Sequence, residues 1–311
     1  MTRKTDISEI NFEVLMKPVY TKKKSYSELG KYMAVIGILN KKETVFSVVS
    51  KNYFLISNTD AIKLGKKIFS EFFPSAEENS LKIFNINYPQ TKSFCNIDIA
   101  NCCHVFNIWE KEVYVPFMRI TNSYNRTKTL RFETGFCRML CDNGVIFEKE
   151  TVKLNYTHYK KSLTAIQKNI TAGSKTDKLK ELETEFTNFM KNLNEIKINK
   201  DYFIPITAKI FGLKFNLKSK SEKQRANEYK RMQNFKIKCG ELTEKYVKEL
   251  GENAYSVFNT ATEYANSREL VKSHRYNDYQ VKAGEWLKGF SKRDRNETLE
   301  MYLEDYKYLI N

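Results

Sequence analysis

The hydrophobic pattern of the chain changes period near residue 155, and that switch separates a part patterned for a sheet from a part patterned mainly for helices. Before it, apolar residues fall in short runs rich in β-branched and aromatic types: Leu81 to Tyr88, Phe94 to Trp109, Val113 to Asn122 and Thr129 to Cys141. Polar turns such as Asn125-Arg126-Thr127 and Asp142-Asn143-Gly144 separate them. Thr44 to Ser57 has the same character with Lys51-Asn52 at its middle, which predicts a hairpin there. Asn58-Thr59-Asp60 then offers capping side chains to a helix over residues 61–69, closed by Pro74. After the switch, Leu179, Leu182, Phe186, Phe189, Leu193 and Ile196 recur at spacings of three and four, one buried helical stripe. Phe235, Cys239, Leu242, Tyr246 and Leu250 repeat the pattern on a helix expected to start near Ser221. Between the two, Pro205 disfavours helix in its predecessor, so Tyr202 to Ile206 reads as an extended or turn piece. The expected fold class is α+β: a mostly antiparallel sheet with helices over residues 1–155, then a mainly helical region over residues 156–311 packed on it.

The longest apolar stretch, Met33 to Leu39, is far short of the roughly 20 residues that cross a bilayer, so no membrane partner is expected. The start, Met1-Thr2-Arg3-Lys4-Thr5-Asp6, leads into no apolar signal region, which predicts a cytoplasmic protein with reduced thiols.

Charge is the strongest functional signal. Lys and Arg number 53 against 37 Asp and Glu, a net +16, and the excess is shared between the two halves. A distributed positive field attracts polyanions, because each phosphate neutralised by a cationic side chain releases condensed counterions. Two clusters concentrate it. In the first, Arg119, Arg126, Lys128, Arg131 and Arg138 are interleaved with Tyr124, Phe132 and Phe136 and opposed by Glu133. On a strand from Thr129, Arg131 shares a face with Glu133 while Phe132 takes the other, so a basic two-strand platform bearing aromatic rings is expected. The second runs from Lys214 to Lys238 and includes Lys223, Arg225, Lys230 and Arg231 beside Tyr229, opposed by Glu222 and Glu228. Its lysines suit a phosphate backbone better than base edges.

The sequence offers little for catalysis or metal binding. Cys102-Cys103-His104 and Cys137 with Cys141 are the close Cys and His groupings, and neither has the paired two-residue spacing of zinc sites. On a strand, Cys137, Met139 and Cys141 share one face, as small buried hydrophobes do. Asp98, Glu133 and Asp142 are acid or base candidates without a visible partner, and no Gly-rich phosphate loop or nucleophile elbow occurs. The expectation is no cofactor, no metal and no catalytic residue.

Several of these segments also form a familiar pattern: Arg119-Ile120-Thr121-Asn122-Ser123-Tyr124, then Thr129-Leu130-Arg131-Phe132, then Gly135-Phe136-Cys137-Arg138-Met139-Leu140-Cys141-Asp142-Asn143-Gly144. Val48 to Tyr53 with Asn58 and Asp60 extends it upstream, and Asn259-Thr260-Ala261-Thr262-Glu263-Tyr264 downstream. In these pieces the chain resembles the phage/plasmid-like proteins grouped as domain of unknown function 932. Asn266-Ser267 stands where that pattern leads one to expect a histidine. The resemblance implies a home in a phage, plasmid or laterally transferred region and supplies no catalytic residue. Asn122-Ser123 and Asn143-Gly144 also suit turns that bond their own backbone, so a structural role for them stands beside a functional one.

The resulting expectation is a nucleic-acid-binding protein of a phage or mobile element, acting in the bacterial host's cytoplasm on DNA ahead of RNA. It would hold or anneal single-stranded DNA without catalysis, as recombination proteins do, as a monomer or a homo-oligomer. The competing expectation is an inhibitor that binds a host defence protein.

Overall fold

The computed structural model describes residues 6–22, 26–72, 80–110, 112–139, 143–146, 153–159, 176–218, 221–266, 276–291 and 299–310. Antiparallel sheets occupy the N-terminal half and helices the C-terminal half, so the fold is α+β. The chain divides into two compact units. The first comprises Met1–Phe106, Val115–Phe136 and Glu150–Lys180, and the second Asn107–Tyr114, Cys137–Lys149 and Glu181–Asn311.

The first sheet has three antiparallel strands in sequence order, β1 (Val14–Lys22), β2 (Tyr26–Leu39) and β3 (Lys42–Ser50). The expected hairpin about Lys51-Asn52 is replaced by one about Asn40-Lys41. These two residues take φ of 51° and 63°, the successive left-handed conformations that match strand twist in a two-residue turn. Lys51-Asn52 is a turn that leads out of the sheet, and Tyr53 makes a single bridge with Tyr159. The inner face of this sheet buries Val35 and Val49 around the ring of Tyr124, with Phe12, Met16, Met33 and Phe46 packed against them.

Helix α1 (Asn58–Phe72) follows, beginning earlier than expected: Asn58, Thr59 and Asp60, read as caps, form its first turn, and the cap is Ser57, whose hydroxyl accepts from the Asp60 amide at 3.0 Å and donates to the Asp60 carboxylate at 2.7 Å. Ala61, Ile62, Ile68 and Phe69 are buried along one face. Gly65 lets α1 lie against a strand, since a Cβ there would stand 2.8 Å from Cγ1 of Ile120.

The second sheet is built from β4 (Leu81–Asn87), β5 (Phe94–Asn101), β6 (Phe106–Trp109), β7 (Glu112–Ser123), β8 (Leu130–Arg138), β9 (Asn143–Ile146) and β10 (Lys153–Tyr156). Its order is β10-β8-β7-β5-β4, with β6 paired to β7 and β9 to β8. β5 is buried along its whole length and β7 along nearly all of it, because both faces of the sheet are covered there.

The helices are α2 (Thr176–Glu195), α3 (Phe203–Phe211), α4 (Glu222–Leu250), α5 (Ala254–Ala265), α6 (Tyr276–Ser291) and α7 (Leu299–Tyr302). α4 begins where the sequence places it, with the Ser221 hydroxyl capping the Gln224 amide. The extended piece expected at Tyr202 to Ile206 is instead a 3-10 turn followed by the start of α3. Pro205 falls in the first turn of α3, where the missing amide would have had no helical acceptor. Phe215, Met232, Phe235, Cys239, Tyr306 and Leu309 close one core of the second unit, and α5 is buried over nearly its full length.

Candidate functional site

In the first unit, residues far apart in sequence converge on the start of α1. The Asn122 side-chain amide donates to the Ile56 carbonyl at 3.0 Å and to the Asn58 side-chain oxygen at 2.9 Å. Asn58 donates its own side-chain amide to the Ile10 carbonyl at 2.9 Å, and its backbone amide donates to the Tyr124 hydroxyl at 2.9 Å. The Cys95 thiol donates to the Asn58 oxygen at 3.2 Å, and burial pushes that thiol up to about 12. These side chains are almost wholly buried. Hydrogen bonds to buried amide groups are strong in a low-dielectric interior, so the bonds of Asn58 and of the Asn122 amide nitrogen fix the chain entering α1 to the end of β7. One turn on, the Ser123 hydroxyl and the Thr127 hydroxyl both meet the Asn125 side-chain oxygen, the turn-forming role the sequence allowed for Ser123.

Tyr124, expected on an exposed platform, is therefore internal. It lies against Phe46 with ring centroids 5.6 Å apart, and burial holds its hydroxyl well above the ordinary tyrosine range. Arg119 is internal as well. Asp98 stands directly opposite it on β5, and the guanidinium meets the carboxylate through Nε at 2.6 Å and Nη2 at 2.7 Å. Asn85 donates to the same carboxylate at 2.9 Å, so Asp98 is a structural counter-ion and not an acid or base awaiting substrate. Arg126, Lys128 and Arg131 lie nearer the surface. Arg126 sits in a turn at φ 64° with Nη1 3.4 Å from the Val48 carbonyl. Arg131 is half-buried and pairs with the buried Glu133 at 3.4 Å on the face they share. Tyr53 stacks on His158 at 5.0 Å, and burial raises its hydroxyl to about 12 while the Arg126 charge opposes the rise.

In the second unit, Arg138 is also buried. Its Nε meets Glu112 at 2.6 Å, its Nη2 reaches both Glu112 and Glu249, and the Tyr246 ring lies 5.9 Å from its carbon. The Tyr255 hydroxyl donates to Glu112 at 2.6 Å and contacts the Tyr114 hydroxyl at 2.8 Å. Burial, then the Glu112 charge, hold the Tyr255 hydroxyl far above its ordinary value. This network binds β7 and β8 residues to α4 and α5. Of the pattern's turn residues, Asn143 and Gly144 lie in β9, and Cys141 and Asp142 fall outside the described residues.

Of the pattern residues, Asn58, Asn122 and Tyr124 lie in the first buried polar network and Arg138 in the second, and residues 45–285 match the family described as domain of unknown function DUF932. The chain belongs to that family. No curated protein and no solved structure matches it. Within the DUF932 segment, the downstream Asn259 to Tyr264 lies on α5. There the Thr262 hydroxyl donates back to the Phe258 carbonyl at 3.0 Å, and Glu263 takes a hydrogen bond from Tyr246 and an ion pair from Lys245.

The second basic cluster of the DUF932 segment is on the surface. The first buried residue of α4 is Met232, so about three turns, from Glu222 to Arg231, stand clear of the core. Lys223, Arg225, Tyr229 and Lys230 are exposed there, Tyr229 by 56%. Arg231 is occupied otherwise: Nη1 meets Glu228 at 2.8 Å, Nη2 donates to the Lys214 carbonyl at 2.6 Å, and its carbon lies 4.8 Å from the Phe215 ring centre. It pins the segment carrying Lys214 to the helix. Among the described residues no group of three or more His, Cys, Asp or Glu is placed to hold a metal ion, and no helix is long and apolar enough to cross a membrane.

Proposed function

We propose that the protein binds nucleic acid, holding single-stranded DNA for a phage or other mobile element through backbone contacts and without catalysis. The observation that carries this reading is the bare N-terminal stretch of α4. A helix with no fully buried side chain over its first turns gains little hydrophobic stabilisation there, and Lys223, Arg225 and Lys230 beside an exposed Tyr229 make it a cationic rod with a stacking surface. Lysine is a point charge on a flexible stem, so such a rod tracks phosphates and reads little sequence.

The test is a salt titration of oligonucleotide binding. Single strands are expected to bind with a log-log salt slope that falls by about 2 units when Lys223, Arg225 and Lys230 are all replaced by alanine, at about 0.7 per lost phosphate contact. Binding that persists unchanged in high salt would refute the electrostatic reading. Failure to bind any oligonucleotide would favour a protein partner such as a host defence factor. The exposed Tyr32, Val45 and Val48 on the first sheet are the observation on that side.

A further inference from the structure

The first unit carries a groove along α1 that the proposed nucleic-acid reading leaves without a role. Asp60, Lys63, Leu64 and Lys67 recur at i, i+3, i+4 and i+7, so they share one face of the helix. With Phe54, Leu55 and Ile56 they line an open groove of about 360 Å³. Phe54, Leu55 and Leu64 are only half-buried, and Lys63 and Lys67 are exposed at the rim. Asp60 is held at the helix start by Ser57. The groove therefore pairs an apolar, aromatic-bearing floor with a rim of two cations and one anion.

The wall opposite the helix is fixed in place. The Phe54 amide donates to the His158 carbonyl at 2.8 Å, the Ile56 carbonyl accepts from Asn122, and the Asn58 amide is held by the Tyr124 hydroxyl. Both ends of the Phe54 to Ile56 segment and the first turn of α1 are thus pinned by buried polar groups. A groove held this way loses little freedom when occupied. This gives Asn58, Asn122 and Tyr124 a task as positioning residues, one that their burial alone leaves unexplained.

Resting on the nucleic-acid reading, we propose that this groove seats a base of single-stranded nucleic acid. The base lies on Phe54 and Leu64, and Lys63 and Lys67, one helical turn apart, take the flanking phosphates. An apolar lining that includes the Phe54 ring, with the exposed cations Lys63 and Lys67 on the helix side, suits a nucleotide better than an all-apolar or all-anionic ligand.

The experiment uses the full chain with an oligo(dT) strand. Leu64→Trp fills the groove and leaves the charge unchanged, so it should weaken binding about tenfold with an unaltered salt slope. Lys63→Ala with Lys67→Ala touches only exposed side chains, keeps the fold, and should lower the slope by about 1.4 units. If the wild type binds single strands and both variants keep its affinity and slope, the groove proposal is overturned while the α4 reading stands. If the wild type binds no single strand, both fall. If the α4 triple variant and the Lys63, Lys67 variant each lower the slope while Leu64→Trp lowers affinity without changing it, the two sites are separate and both stand; if the α4 triple variant alone lowers the slope, the groove proposal is overturned.

Discussion

Asp98→Ala tests whether the Arg119 pair is a structural element or a surface device. Both groups are about 1% exposed, and the carboxylate takes two hydrogen bonds from one guanidinium and one from Asn85. Removing it takes the opposing carboxylate from a buried guanidinium, which costs about 3–5 kcal/mol, and removes the acceptor of the half-buried Asn85 amide for up to about 1 kcal/mol more. Against a typical domain stability of about 5–15 kcal/mol, that is about a quarter or more of the total. Urea unfolding followed by far-ultraviolet circular dichroism is the assay, since both tryptophans, Trp109 and Trp286, lie in the second unit and would not report on the first. The midpoint should fall markedly for Asp98→Ala. It should recover most of the loss in the double variant Asp98→Leu with Arg119→Met, because an apolar pair of similar volume carries no desolvation cost. A single variant within about 1 kcal/mol of wild type, or a double variant no more stable than the single, would refute the reasoning.

Gly65→Ala sets two effects against each other. Alanine raises helix propensity by about 1 kcal/mol, but its Cβ would overlap Ile120, and overpacking costs about 1–3 kcal/mol, so net destabilisation that Ile120→Val relieves is expected in the same urea titration; a more stable Gly65→Ala would show that the helix can lift from the strand. For His158, burial lowers the imidazole below its ordinary 6.5, with a contact to the Phe54 backbone opposing. The unfolded chain then binds the proton more readily than the folded one, so this residue's contribution is full above pH 6.5 and is lost as pH falls through the folded value. His158→Phe should flatten that acid limb of the stability profile relative to wild type, and an unchanged limb would assign the loss to other groups.

The strand and helix types were legible because their periods are local. Leu81 to Tyr88, Val113 to Asn122 and Thr129 onward appear as β4, β7 and β8, and the stripe from Leu179 to Leu193 lies on α2, which ends one residue before Ile196. β1 and β2 were not singled out because Lys17 and Pro18 interrupt one and Gly30 and Gly37 the other, while the register that joins them depends on a turn at Asn40-Lys41. The burial of Arg119 escaped for a different reason. Alternation shows that Arg119 and Asp98 each lie on some face of a strand, but their opposition across β5 and β7 is a matter of register between strands, which the period within either one cannot set. The Glu112 to Arg138 pair is hidden in the same way. The groove was partly visible, since Asn58 and Asp60 stood in the family pattern, yet nothing in the sequence placed Phe54 opposite Leu64.

The burial of Arg119 and Arg138 changes what the net charge of +16 can do. Each arginine lies against its own carboxylates, so internal pairing removes anions and cations together and leaves the excess intact. It removes the residues best suited to bidentate, base-edge recognition, however, and leaves a surface in which lysines carry most of the field on α1 and α4. Point charges on flexible stems bind phosphate wherever it runs. On the proposed nucleic-acid reading, any preference among bases would arise where a base meets an apolar surface, and the groove lined by Phe54 and Leu64 is the proposed place for it in the first unit. Affinity set by lysines and selection set by a groove are separable quantities, so charge-removing variants should shift the salt slope for all strands alike, while groove-filling variants should narrow the differences between them.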